Sequence, residues 1–171
     1  MSANDRTGVG SGSAEWRTPP SLFEALNRRY EFDYDAFASH ENALRERYST
    51  VDGTFGFSYA AEGQYPQKLS ALNGLDYPWL GLRVYMNSPY SRGLIEQCIE
   101  KAWSERNNAA IIVALIPAAT ETRWFQEWIL PYCHIDFLRP RVRFIDPETG
   151  KPGGSPPSGS VIAVFKNDWK W

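Results

Sequence analysis

The sequence predicts an α/β fold, a mostly parallel sheet with helices on both faces and a C-terminal antiparallel hairpin. Three observations predict it. Segments with apolar residues at helical spacing alternate with segments that read as strands. Residues 109–116 form a continuous apolar run stopped by Pro117, the pattern of a strand buried on both faces of a parallel sheet. The chain closes with two strand-like segments, 134–145 and 160–166, joined by the Pro-, Gly- and Ser-rich stretch 146–159, which suits an antiparallel hairpin.

Taken in order, residues 1–14 are Gly/Ser-rich and are expected to form a disordered tail. Residues 15–171 are expected to form a single domain, since a chain of 171 residues leaves little room for a second. Ser21 followed by Glu24 has capping-box spacing and should start a helix carrying Leu22, Phe23 and Leu26 on one side. From Tyr30 to Phe37 aromatic and acidic residues alternate, which reads as a period-two strand. A short helix is expected over 41–47. Residues 53–80 carry several glycines and aromatics with weak periodicity. A short apolar strand, 82–86, runs straight into Asn87-Ser88-Pro89-Tyr90. Leu94, Ile95, Cys98, Ile99, Ala102 and Trp103 then recur at helical spacing. After the apolar strand, Trp124, Phe125, Trp128 and Ile129 mark a further amphipathic helix.

Composition narrows the function classes. Net charge is −2, so nucleic-acid binding has to rest on a local patch and not on bulk charge. Cys98 and Cys133, the two cysteines, form neither a disulfide framework nor a zinc spacing. They read as buried small hydrophobes. With two histidines, His40 and His134, no His-based metal site is expected. The N-terminus lacks the apolar core of a signal peptide, and no run reaches the roughly 20 apolar residues of a membrane span. The expectation is a cytoplasmic protein without metal or membrane.

Ligands in open α/β sheets bind at the carboxyl ends of strands. Two segments qualify, 35–39 after the first strand and 87–90 after the strand 82–86, and they share one crevice if those strands are neighbours. The second segment suits methyl transfer to an exocyclic amine on an aromatic base. Such a nitrogen is a weak nucleophile because its lone pair is delocalised. The Asn87 side-chain carbonyl and the Ser88 backbone carbonyl can accept its two N–H groups, favour a tetrahedral nitrogen and stabilise its growing positive charge. Pro89 locks its own φ, and Tyr90 offers a flat surface for an extruded base. Taken alone, Asn-Ser-Pro-Tyr is also an ordinary turn composition.

The ordered series of motifs resembles the phage-type DNA N-6-adenine methyltransferases, the Dam-like family. Trp16-Arg17-Thr18-Pro19 is followed by Phe32-Asp33-Tyr34-Asp35-Ala36-Phe37-Ala38-Ser39 and Asn42-Ala43. Asn87-Ser88-Pro89-Tyr90-Ser91, Leu115-Ile116-Pro117, Thr120-Glu121-Thr122-Arg123-Trp124-Phe125 and Arg141-Val142-Arg143-Phe144 complete it, so that the resemblance spans 15–166. It implies a Rossmann-like methyltransferase domain that takes S-adenosylmethionine as methyl donor and acts on adenine N6 in duplex DNA inside a bacterial host, phage or prophage encoded. The resemblance assigns Asn87, Ser88, Pro89 and Tyr90 to catalysis. It assigns Thr18, Pro19, Asp35, Ala36 and Ser39, with Asn42 and Asp52 more weakly, to the cofactor. Where the family has Pro at the second motif position this chain has Ser88, which keeps the carbonyl and adds an N–H and backbone freedom. The usual Gly-x-Gly after the first strand is missing.

Arg139, Arg141 and Arg143 alternate and would project to one face of a strand. With Arg92 they are candidates for contacts to DNA phosphates. The target sequence is expected to be read by 53–80 and by the hairpin region 139–160. Two other readings use the same residues, a methyltransferase acting on a protein glutamine amide and a non-catalytic DNA-binding relative. Oligomeric state, monomer or weak dimer, is not encoded in any of these features.

Overall fold

The computed structural model describes residues 16–39, 41–50, 55–57, 74–90, 93–154 and 156–165. The expected tail 1–14, Asp52, Arg92 and most of 53–80 lie outside the described residues. The elements run α1 (Pro20–Tyr30), β1 (Tyr34–Ala36), β2 (Arg47–Ser49), β3 (Phe55–Phe57), β4 (Arg83–Met86), α2 (Leu94–Glu105), β5 (Ile111–Pro117), a π-helical segment (Phe125–Ile129), β6 (Cys133–Phe137) and β7 (Ser160–Phe165). The described strands form one seven-stranded sheet in the order β3-β2-β1-β4-β5-β7-β6. The strands β2, β1, β4 and β5 are mutually parallel. Antiparallel pairs join β3 to β2, β7 to β5 and β6 to β7. The mixed α/β architecture, the parallel centre and the C-terminal hairpin match the sequence expectation.

Period-two alternation on the central strands supplies two apolar faces. On one face Val84, Met86, Ile112, Ala114 and Ile116 pack with Cys98, Ile99 and Ala102 of α2 and with Phe125 and Ile129 of the π-helical segment. On the other, Tyr85, Val113, Leu115, Ile162 and Val164 pack with Phe23 and Tyr30 of α1. Phe23 meets the Tyr85 ring edge-on, with centroids 5.1 Å apart. Helices therefore cover both faces, as a mostly parallel sheet requires.

Four local expectations change. The capping box does not form: α1 begins at Pro20, one residue before Ser21, and no side chain caps it. Pro at the first helical position has the helical φ built in and lacks an N–H that would need capping. The helix then runs on through Tyr30 and ends on Glu31, held at φ 50°, so the expected strand 30–37 shrinks to Tyr34–Ala36. The expected helix over 41–47 is instead a turn leading into β2. Side chains capture its backbone, since Asn42 Oδ1 accepts the Ser39 N–H and Asp35 Oδ2 accepts the Leu44 N–H, a competition with helical bonding typical of Asn and Asp. Finally, the strand expected over 134–145 stops at Phe137. Its partner β7 begins at Ser160, opposite Pro117 of β5 and already bonded to Leu138 N–H, and Pro140 brings no N–H to continue a ladder.

Candidate active site

The chain leaves β1 toward β2 on one side and later returns to β4 on the other, so the β1/β4 seam is a switch point of strand order. The register Ala36↔Met86 sets the carboxyl ends of β1 and β4 level with each other. The segments 37–39 and 87–90 therefore leave the sheet side by side and flank one crevice. Such seams are where open α/β sheets accept ligands.

On the β1 side, Asp35 is 4% exposed. Burial pushes its carboxyl up to about 7, against the opposing pull of the Leu44 N–H on Oδ2 (2.8 Å) and of the Arg45 charge. Ala36 and Ala38 are buried and small. Phe37 turns the chain away at φ 66°, a left-handed conformation uncommon for a residue with a Cβ. Its ring packs edge-on to Trp79. Ser49 O accepts the Ala38 N–H, and Ser39 O accepts the N–H groups of Asn42 and Ala43. The Ser39 hydroxyl is buried and has no hydrogen-bond partner among the described residues. A buried hydroxyl left without a partner in this way is uncommon and calls for an explanation.

On the β4 side, Asn87 is half-buried and its Nδ2 donates to the Trp16 carbonyl at 3.0 Å. Tyr90 Oη approaches Asn87 Oδ1 at 3.4 Å. The Tyr90 ring stands edge-on against Phe144, with centroids 5.9 Å apart and planes at 87°. Burial raises the Tyr90 phenol above its ordinary range, so it stays protonated. The Ser88 side chain is 3% exposed and lies against the Cys98 thiol of α2. That thiol is pushed up to about 12 by burial, with the contact to Ser88 pulling the other way. The Ser88 hydroxyl thus faces the core. Whatever position 88 contributes to the crevice comes from its backbone.

Thr18 reaches this seam from the N-terminal segment. It is 5% exposed, and Oγ1 lies 2.7 Å from Tyr85 Oη in a buried hydrogen bond. Tyr85 is the register partner of Asp35.

A family model described as DNA N-6-adenine-methyltransferase (Dam) matches residues 67–170. The chain belongs to the Dam family. The match contains Asn87–Tyr90 and the whole C-terminal hairpin, and begins after the segments with Thr18 and Asp35. It is narrower than the 15–166 span of the resemblance read from the motifs. No curated protein matches the chain. Dam-family membership identifies a methyltransferase class acting on adenine in DNA. Among the described residues no helix is long and apolar enough to cross a membrane, and no group of three or more His, Cys, Asp or Glu could hold a metal ion.

The other sequence-derived residues divide. Pro19 precedes α1 directly. The Asn42 side-chain oxygen is engaged within its own loop by Ser39 N–H at 2.6 Å. Arg139, Arg141 and Arg143 are exposed, as expected, but lie on the connection between β6 and β7 and not on a strand. Val142 and Phe144 are buried while Arg141 and Arg143 are exposed, so the alternation survives over 141–144 without the ladder. Sequence reasoning missed the Trp16 carbonyl, Tyr85 and Phe144 as parts of this site. A tyrosine between Val84 and Met86, on the strand that leads into Asn87, was the available signal for Tyr85. A backbone carbonyl leaves no such signal.

Proposed function

We propose that this Dam-family protein is a site-specific DNA adenine N6-methyltransferase with a Rossmann-like fold, using S-adenosylmethionine as donor and acting on an adenine extruded from duplex DNA. The observation that carries the reading is the juxtaposition of 35–39 and 87–90 across the β1/β4 seam in a chain of this family. The parallel run β2-β1-β4-β5, with its reversal of strand order at the β1/β4 seam, supports the Rossmann-like reading.

The residues at the β1 end suit the donor. Asp35 offers a buried carboxylate to its methionine ammonium, the orphaned Ser39 hydroxyl offers a hydrogen bond, and Ala36 and Ala38 leave room for close approach. Thr18 and Pro19 line the methionine end, with Thr18 set by Tyr85. Asn42 and Asp52 are assigned more weakly to its ribose or adenine. When bound, the donor supplies an electrophilic methyl group on a sulfonium sulfur.

Asn87 and Ser88 act on the acceptor. Asn87 Oδ1 accepts one N6 hydrogen in exchange for its long contact with Tyr90 Oη, and the Ser88 carbonyl accepts the other. Both stabilise the charge developing on nitrogen. Tyr90, braced by Phe144, stacks on the base. The surplus proton leaves readily once nitrogen is alkylated, so no group with a matched pKa is needed. Exposed Arg139, Arg141 and Arg143, together with Arg92, contact phosphates. Residues 53–80 and 139–160 read the target sequence.

The test is incubation with labelled S-adenosylmethionine and unmethylated DNA, followed by digestion to nucleosides. Label in N-6-methyladenosine is the expected result. Label confined to protein would transfer the reading to an amide substrate. DNA binding without label would make the chain a non-catalytic relative.

A further inference from the structure

We propose that the contact of Trp16 with Gly153 is a positioning device that orients the Asn87 amide for catalysis. The proposal rests on the functional reading above for its consequence and on local geometry for its existence. A backbone carbonyl only accepts hydrogen bonds. With the Trp16 carbonyl 3.0 Å from Asn87, the amide must turn its nitrogen there and its oxygen, Oδ1, away toward Tyr90. The orientation needed to accept an amine hydrogen is therefore set by where the Trp16 carbonyl sits.

That carbonyl is fixed from two sides. On the main chain, Arg17 and Ile145 exchange a pair of hydrogen bonds at 3.0 and 2.9 Å, and Ile145 also bridges to Pro152. Phe144 O in turn accepts the Gly153 N–H at 2.8 Å. On the side chain, the outer edge of the Trp16 indole lies directly over Gly153. A Cβ at 153 would fall 2.8 Å from Cη2 and closer still to Cζ3. Trp16 is 40% exposed, so general burial does not hold the ring and the missing side chain at 153 is what lets it seat. At neighbouring Gly154 an added Cβ would meet nothing within 4 Å. The same clasp touches the second half of the motif, because Phe144 braces Tyr90. A loop more than fifty residues downstream thus sets both Asn87 and Tyr90.

The experiment uses full-length, isotopically labelled protein, with the Asn87 side-chain amide resonances assigned by their loss in Asn87→Asp. Gly153→Ala should shift those resonances toward a free amide and speed their exchange with water. Trp16→Phe, which removes the overlying ring edge without crowding, should do the same, and Gly154→Ala should leave them as in the wild type. Unchanged Asn87 amide resonances in Gly153→Ala and Trp16→Phe would overturn the proposal. In the transfer assay, Gly153→Ala should lower kcat by about tenfold or more, since small displacements of reacting groups are costly, with KM for the donor little changed. That loss should be clearly smaller in an Asn87→Asp background, where no donor faces the Trp16 carbonyl and only the brace on Tyr90 remains to be disturbed. Equal losses in both backgrounds would also overturn it. A wild-type protein that shows the Gly153-dependent amide but transfers no methyl would support the clasp and refute the catalytic reading.

Discussion

Thr18 Oγ1 and Tyr85 Oη lie 2.7 Å apart in a buried hydrogen bond that ties the N-terminal segment to the middle of β4. Both residues are buried, and burial raises the Tyr85 phenol well above its ordinary range. Removing one partner leaves the other unsatisfied, at a cost of about 1–3 kcal/mol. Tyr85→Phe and Thr18→Val should each lower the denaturation midpoint by that measure. The double variant should lose less than the sum, because neither orphan then remains. Additive losses in a denaturant double-mutant cycle would show that the two hydroxyls are not coupled.

Asp35 predicts an unusual pH dependence. Its carboxyl sits near 7 in the fold because burial disfavours the charge, against about 4 in an unfolded chain. Between those values the folded state keeps a proton that the unfolded state has released. Stability therefore falls as pH rises from about 4 to about 7 and levels off above, at up to about 1.4 kcal/mol per pH unit. This is opposite in sign to the common carboxylate held down by a salt bridge. Asp35→Asn keeps an acceptor for the Leu44 N–H and should flatten the slope. Thermal unfolding of both proteins across that range checks it. A cationic donor at this carboxylate would prefer the ionised form, so donor affinity should rise with pH through about 7 in the wild type and not in the variant.

The motif predicts a split between two kinds of substitution. Asn87→Ala removes an acceptor for the developing positive charge and should lower kcat by roughly 10²–10³, the scale of losing one preorganised electrostatic contact, while the fold persists around a half-buried position. Tyr90→Phe keeps the stacking surface and its contact with Phe144, and loses only a 3.4 Å approach to Asn87. It should stay close to wild-type turnover. Tyr90→Ala removes the platform and should cost about 1–3 kcal/mol of base stacking. Steady-state kinetics on one DNA substrate separates the three. Near-normal turnover of Asn87→Ala would refute the assigned chemistry.

These residues also show which parts of the protein were legible in its sequence. The strands β4, β5 and β7 were visible because buried central strands are apolar on both faces, and α2 because one stripe of it is. Asn87–Tyr90 stood out by composition and by following a strand. β2 and β3 are three residues each, too short to establish a period. The stretch 41–47 has the composition of a helix, but its conformation is decided by two hydrogen bonds accepted by the Asp35 and Asn42 side chains, which propensity does not register. Residues 141–144 showed a true in-and-out alternation. Phe144 pairs with the glycine at 153 and the next residue, Ile145, with Trp16's neighbour Arg17, and no local pattern could separate that arrangement from an edge strand.

The arginines on the same connection give the last prediction. Arg139, Arg141 and Arg143 are all exposed, yet they are not equivalent. Arg141 Nη1 donates to the Pro156 carbonyl at 3.0 Å, which fixes its guanidinium against the loop, and the other two have no such tether among the described residues. A phosphate contact contributes to affinity through release of condensed counterions, so each one removed should reduce the slope of log K against log salt by about one. Arg139→Ala and Arg143→Ala should each show that change and weaken binding to all sequences alike. Arg141→Ala also releases the loop segment around Pro156, and should alter discrimination between target and non-target DNA if that segment reads bases. Binding titrations at several salt concentrations, on matched and mismatched duplexes, resolve the two effects. A salt slope unmoved by all three substitutions would remove this connection from the DNA interface.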